Sequence, residues 1–309
     1  MTSILEADIR SGQSGQTVGW IGAGKMGAPM IRNLLTAGIS VAVAEPNTAA
    51  HAALAAAGAV VASGLGALDG AAVVFATLPN DDSLRAVVNG TAADPGLAHR
   101  LAPGSTFVEM STVSPECSAE VAQTLEKAGI LYVRSPVSGS TTMAEKATLT
   151  ILASGAADGW AQVLPLIRLI SARQFWLGQG EEARYMKLVL NTLVGASSAI
   201  LAEAVALGSS GGLSRAAMME VICESAVASP LFKYKADLVV SQDYTPAFTV
   251  GQMIKDFTLI SDAGRSNGVP LMTAGLILEL YRAASNAGLQ NEDFFALVKW
   301  QSGISAQQG

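Results

Sequence analysis

Residues 17–35, "TVGWIGAGKMGAPMIRNLL", decide the fold. "TVGWI" is a short apolar run suited to a buried strand, and "APMIRNLLTAG" has the spacing of a helix that stops at Gly38. Between them stand Gly22, Gly24 and Gly27 in the order G-x-G-x-x-G. After a strand and before a helix, the first glycine permits a tight turn and the second lets a pyrophosphate approach the backbone. The third lets helix and strand pack closely, and the helix N-terminus faces the phosphates. Lys25 and Met26 lie inside this turn and go to the cofactor with it. Glycine-rich turns also arise for structural reasons alone, so the strand–helix–strand setting carries the argument. The second strand, "SVAVAE", ends on Glu45, where a carboxylate accepts hydrogen bonds from the adenosine ribose and repels a 2′-phosphate. This favours NAD over NADP, against the plainer reading of a charged residue before a Pro-Asn turn.

The alternation continues outward from this unit. "AAVVFATLP", "STFVEM", "ILYVRSPV", "TLTILASG" and "QFWLG" read as strands. "DDSLRAVV", "SPECSAEVAQTLEKAG" and "ADGWAQVLPLIRLI" read as helices, with Ser114 as a cap. Repeated units of this kind imply an α/β fold: a Rossmann-type, doubly wound parallel sheet covered on both faces. After Gly180 only long helical patterns remain, among them "TLVGASSAILAEAVALGSS" and "VGQMIKDFTLISDAGRSNG". The expected organisation is a floppy tail over 1–16, a cofactor-binding domain over 17–180 and an all-α domain over 181–309.

Composition excludes several classes of function. The 309 residues carry a net charge of −6 without a basic cluster, which argues against nucleic acid or an anionic membrane as partner. His51 and His99 have no catalytic neighbours in sequence and read as surface residues. Cys117 and Cys223 lack metal-ligand spacing, so no metal site is expected and a reducing compartment fits. "MTSILEADIRSGQSGQ" has no apolar segment of a signal peptide, and runs such as "AAVVFATLP" are too short to span a bilayer. A soluble, cytoplasmic protein is expected.

One lysine stands out. From Lys187, in "RYMKLVLNTLVG", no further charge occurs before Glu203. A lysine on an apolar helix is most often a stem along the surface with its ammonium in water. Here Asn191 follows four residues on, so both share a face and could meet one substrate hydroxyl. Gly195 and Ser198 extend that face with small groups, room for a flat ring to come close. The domain change nearby favours a ligand site at this place.

Five segments in order, "GAGKMGAPMIRNLL", "MSTVSP", "SPVSGS", "GQGEEARYMKLVLN" and "KDFTL", resemble the β-hydroxyacid dehydrogenase family, which includes 3-hydroxyisobutyrate and tartronate semialdehyde dehydrogenases. The resemblance covers about residues 17–300, through "YRAASNAGLQNEDFFAL". It implies that Leu78 and Pro79 pack on the adenosine or ribose side of the cofactor and that Thr112 lines the nicotinamide side. Ser138 and Gly139 would hold a substrate carboxylate through hydroxyl and backbone N–H groups. Lys187 would be the catalytic acid/base with Asn191 as its helper. Lys255 would be a second cation, facing both substrate and cofactor, with Asp256 beside it.

The reaction so implied is hydride transfer between a small 3-hydroxy acid and its aldehyde or ketone, Lys187 handling the hydroxyl proton. A lysine does this near neutral pH only when desolvation or a nearby cation lowers its pKa well below about 10.4. The resemblance leaves NADP open beside NAD, and the apolar helical half suggests a homodimer or homotetramer. The chain also departs from the family. Arg134 and Ser135 stand where it usually has Asp-Ala, Ser140 where it has Gly, and Ala147 replaces a usual glycine. Two other readings stay open: an NADPH-dependent imine reductase, which generally lacks the lysine, and a non-catalytic NAD-binding module.

Overall fold

The computed structural model describes residues 17–306; the expected tail over 1–16 lies outside the described residues. The chain divides into two compact units between Lys187 and Leu188. The first is built on strands β1 (Val18–Ile21), β2 (Val41–Ala44), β3 (Val60–Ala62), β4 (Val73–Ala76), β5 (Thr106–Glu109), β6 (Leu131–Arg134), β7 (Val137–Ser138), β8 (Leu149–Gly155) and β9 (Ser171–Gly178). Its helices are α1 (Gly27–Thr36), α2 (His51–Ala56), α3 (Asp81–Asn89), α4 (Leu97–Arg100), α5 (Pro115–Lys127), α6 (Thr141–Glu145) and α7 (Ala157–Ile170). Helix α8 (Glu182–Ser210) begins in this unit and continues in the second. There follow α9 (Arg215–Glu224), α10 (Pro230–Ser241), α11 (Val250–Ser266), α12 (Met272–Ala284) and α13 (Leu297–Ala306).

The strands run in the order β3-β2-β1-β4-β5-β6, all parallel. β1, β2, β4 and β5 are buried throughout, as expected of short apolar runs in a sheet covered on both faces. Alternate residues serve opposite faces. Trp20, Val43 and Phe75 join Met30, Ile31 and Leu34 of α1 and Val163 and Ile167 of α7. Ile21, Val74 and Phe107 join Leu84 and Val88 of α3 and Val121 and Leu125 of α5. This is the doubly wound arrangement expected of the sequence.

The far side corrects the expectation of an all-parallel sheet. "ILYVRSPV" splits into β6 and β7, and both pair antiparallel with β8, at its two ends. β9 takes the other edge of β8 in parallel. Edge strand β3 was not expected: the alanine-rich "AAAGAVVA" carries little periodicity, and Val60 is largely exposed.

Among its described residues the second unit consists of helices and the loops that connect them, apart from one isolated bridge between Thr249 and Asp293. Leu201, Ala202 and Val205 of α8 pack with Phe257 and Ile260 of α11 and with Leu278 and Tyr281 of α12. The small residues expected to admit a ligand ring serve this packing instead. A Cβ on Gly195 would run into the Phe257 ring, and the Tyr281 hydroxyl donates to the Gly195 carbonyl at 3.1 Å. Ser198 is buried and donates to the Phe294 carbonyl at 3.0 Å. The flat ring that Gly195 receives is therefore a phenylalanine of its own unit. By length and composition α8 could cross a membrane, so the view that every apolar run is too short is corrected; 44% of its apolar window is buried inside the protein.

Candidate functional site

The switch in strand order falls between β1 and β4, and doubly wound sheets bind ligands beyond the strand ends at such a point. The three glycines following β1 do different work there. Gly22 has φ +80°, and any side chain on it would strike the Thr77 carbonyl. A Cβ on Gly27 would meet the Gly22 carbonyl and Thr77 Oγ1, so the start of α1 lies hard against the turn. Gly24 is exposed, with nothing within 4 Å of where its Cβ would stand. Trp20 braces the turn from below: its Nε1 donates to the Gly22 carbonyl at 3.0 Å, and its ring stacks on Phe75 at 5.2 Å. Lys25 is exposed and Met26 half-buried.

Glu45 sits at the neighbouring strand end and is nearly buried. Its Oε2 accepts the Ala23 N–H at 2.6 Å and its Oε1 accepts the Asn47 N–H at 2.8 Å. His51, expected as a surface residue, is half-buried with Nε2 2.6 Å from the Glu45 carbonyl; that ring nitrogen must carry the proton to donate. Glu45 thus ties the second strand to the glycine turn and keeps lone pairs for further donors. His51 was not legible as its brace, because only the fold brings its ring back onto the Glu45 carbonyl.

Leu78 and Pro79 follow β4, and Thr112 follows β5. The Leu78 N–H donates to Ser111 Oγ at 2.6 Å, joining these two loops. Open space above Gly24, a helix start behind it and a buried carboxylate on the next strand together fit a dinucleotide. On the other side of the sheet, Ser138 ends β7 half-buried and Gly139 is exposed; Ser140 caps α6, its Oγ accepting the Met143 N–H at 3.3 Å.

Arg134, whose direction the sequence left open, points inward. It pairs with Glu181, lies 4.6 Å over the Tyr132 ring and donates from Nε to Ser118 Oγ at 3.2 Å. Arg184 is buried completely and pairs with Glu109. It also donates to the Ser111 carbonyl at 2.8 Å, Tyr132 Oη at 3.0 Å and Ser118 Oγ at 3.2 Å. Two guanidinium N–H groups fill the lone pairs of Ser118 Oγ, so Ser118 is the donor toward Tyr132 at 3.3 Å. Burial opposes the Arg184 charge, but the carboxylate of Glu109 and the Tyr132 oxygen outweigh it and raise its pKa above the ordinary arginine value.

In the second unit, Asn191 is buried and its Nδ2 donates to Asp256 Oδ2 at 2.5 Å. The other Asp256 oxygen lies 2.9 Å from Lys255 Nζ, an ion pair with the ammonium one-third exposed and the carboxylate enclosed. Asp256, expected only as a neighbour of Lys255, is what joins Asn191 to it. Lys187 is half-buried, one helical turn before Asn191 on α8. The expected site residues thus form two sets: Gly22 to Thr112, Ser138, Gly139 and Lys187 in the first unit, and Asn191 and Lys255 in the second.

Known proteins give this geometry a lineage. Residues 17–178 match the model of the NAD-binding domain of 6-phosphogluconate dehydrogenase, and residues 178–301 match the NAD-binding model of NADP-dependent 3-hydroxyisobutyrate dehydrogenase. The chain is 32% identical over 297 residues to 2-(hydroxymethyl)glutarate dehydrogenase of Eubacterium barkeri, covering 94% of this chain and 98% of that one. It is 31% identical to an L-threonate dehydrogenase of Escherichia coli, covering 93% and 95%. The crystal structure of a 3-hydroxyisobutyrate dehydrogenase from Salmonella typhimurium superposes with a TM-score of 0.83 at 29% identity, covering 92% and 99%. With both halves matched and the glycine turn built as described, the chain belongs to the β-hydroxyacid dehydrogenase family and is an NAD(P)-dependent oxidoreductase.

Proposed function

We propose that the enzyme interconverts a small 3-hydroxy acid, 3-hydroxyisobutyrate-like in form, and its aldehyde or ketone, with Lys187 as acid/base. The observation that carries this is the setting of Asn191. Its amide N–H is taken by buried Asp256, which leaves the Asn191 carbonyl oxygen to accept from a donor one helical turn back, at Lys187. Lys187 takes the substrate hydroxyl proton in oxidation and returns it in reduction. Bound NAD(P) accepts or supplies the hydride. Gly22, Gly24, Lys25, Met26, Gly27, Glu45, Leu78, Pro79 and Thr112 hold that cofactor in this reading, and Glu45 selects NAD.

Ser138, the backbone at Gly139 and Lys255 hold the substrate carboxylate, because a small hydroxy acid offers no stronger handle. The relatives' names, threonate and hydroxymethylglutarate, support an anionic hydroxy acid. We further infer a homodimer or homotetramer: Val189, Leu193, Ile200 and Leu207 expose an apolar stripe along α8, and Leu276 and Met272 are bare on α12. Sedimentation as a monomer at micromolar concentration would remove that inference. Two free cysteines suit the cytoplasm.

The test is a panel of 3-hydroxy acids and semialdehydes read by nicotinamide absorbance with NAD and NADP, repeated on Lys187→Ala. Turnover of at least one acid is expected, with kcat lowered about 10²–10⁴-fold in the variant and NADH affinity unchanged. Wild-type kcat in Lys187→Ala at all pH values would return Lys187 to a surface role. Equal use of an acid and its methyl ester would remove the carboxylate site.

A further inference from the structure

Arg134, Arg184, Glu109 and Glu181 form a closed set of two positive and two negative buried or nearly buried side chains, joined through Tyr132 and Ser118. We propose that this set is a positioning network, which fixes the first turn of α8, and with it Lys187, in register with the loop Ser111–Thr112; the inference rests on the acid/base reading of Lys187.

Both backbone groups of Ser111 end in the network. Its N–H donates to Glu109 Oε1 at 2.7 Å, and its carbonyl accepts from Arg184 at 2.8 Å. Its hydroxyl then takes the Leu78 N–H, so one residue locks two loops assigned to the cofactor. The start of α8 is held from the other side. Glu181 pairs with Arg134, and Ser154 Oγ on β8 donates to the Gly180 carbonyl at 2.8 Å while accepting the Ala183 N–H at 3.1 Å. Lys187 follows Arg184 by three residues on the same helix, so movement of that turn carries the ammonium with it.

Stability alone is a poor reason for such a set. Buried ion pairs are often no more stable than apolar side chains of the same volume, whereas a guanidinium fork fixes direction. The pairing also explains the sign change at Arg134, where the family usually carries Asp: Glu181 supplies the matching charge.

The test compares full-length wild type with Arg134→Met/Glu181→Met, which removes one pair without stranding a charge, and with Glu181→Gln, which strands Arg134. In the double variant the melting temperature is expected within about 3 °C of wild type, since the exchange is close to neutral in stability. With the panel acid of highest kcat/KM, kcat should fall about tenfold or more from misplacement, while KM stays within about twofold. The deuterium isotope effect on kcat, read with that acid deuterated at its hydroxyl-bearing carbon, should rise. Amide hydrogen exchange should quicken together in residues 110–114 and 181–188, without cofactor or substrate. A double variant with wild-type kcat, isotope effect and exchange would make the set purely structural and overturn the proposal. So would faster exchange at 181–188 alone, because the loop would then be uncoupled. Turnover surviving in Lys187→Ala instead strikes the acid/base reading, and the exchange data still decide the coupling.

Discussion

Two clusters of buried charge, one in each unit, are built in opposite ways. In the first, Arg184 and Glu109 are enclosed entirely, and the guanidinium groups of Arg134 and Arg184 each have a carboxylate. In the second, enclosed Asp256 is shared between a neutral amide and a lysine that reaches solvent. A closed set can orient its neighbours but offers nothing to a ligand. An open one leaves an ammonium that an anion can reach. In the proposed reading, the contrast separates residues that would hold a site from residues that would act in it.

The strongest way to break the contrast is Arg184→Met, which strands Glu109 at the centre of the closed set. Removing one partner of a buried pair typically costs about 3–5 kcal/mol. Urea unfolding should show that loss, and a cost near zero would mean that water already reaches Glu109. Gly195→Ala probes the second unit where it is packed rather than charged. Its methyl would meet the Phe257 ring, and overpacking typically costs about 1–3 kcal/mol. A stable Gly195→Ala with altered cofactor binding would return that face to a ligand.

Lys255→Met sharpens the comparison from the open side. The ammonium is one-third exposed and water screens its ion pair, so the stability loss should fall below that of Arg184→Met, although enclosed Asp256 keeps only the Asn191 amide. Its effect should appear in KM for the acid instead, and a stability loss equal to that of Arg184→Met would erase the distinction between the clusters. The smallest effect concerns Ala147, which replaces the family's usual glycine and holds φ +54°. Ala147→Gly should relieve left-handed strain of about 1–2 kcal/mol, less about 0.5–1 kcal/mol for glycine's greater freedom when unfolded. A slightly raised melting point is the expected reading, and a lowered one would mean that the methyl packs.

The same division governs what the sequence made legible. Short apolar runs place β1, β2, β4 and β5, because a strand buried on both faces needs little but apolar residues. The glycine turn and Glu45 are legible because the strand–helix–strand setting gives their spacing a mechanical meaning. The partners of Arg184 are not: Glu109 lies 75 residues away in the chain and the pair matches no local pattern. Gly195 misleads for a related reason, since a gap on a helix does not reveal whose ring fills it. Asp256 is visible in "KDFTL", but its bond to Asn191, 65 residues distant, needs the fold.

Trp20 has one consequence for the laboratory bench. Its indole lies directly beneath the glycine turn, bonded to Gly22 and shielded from water. Its emission overlaps the absorption of reduced nicotinamide, so excitation energy should pass to bound NADH. Arrival and departure of the cofactor can therefore be timed optically in the unlabelled protein, and Trp20→Phe identifies how much of the quenching belongs to this ring.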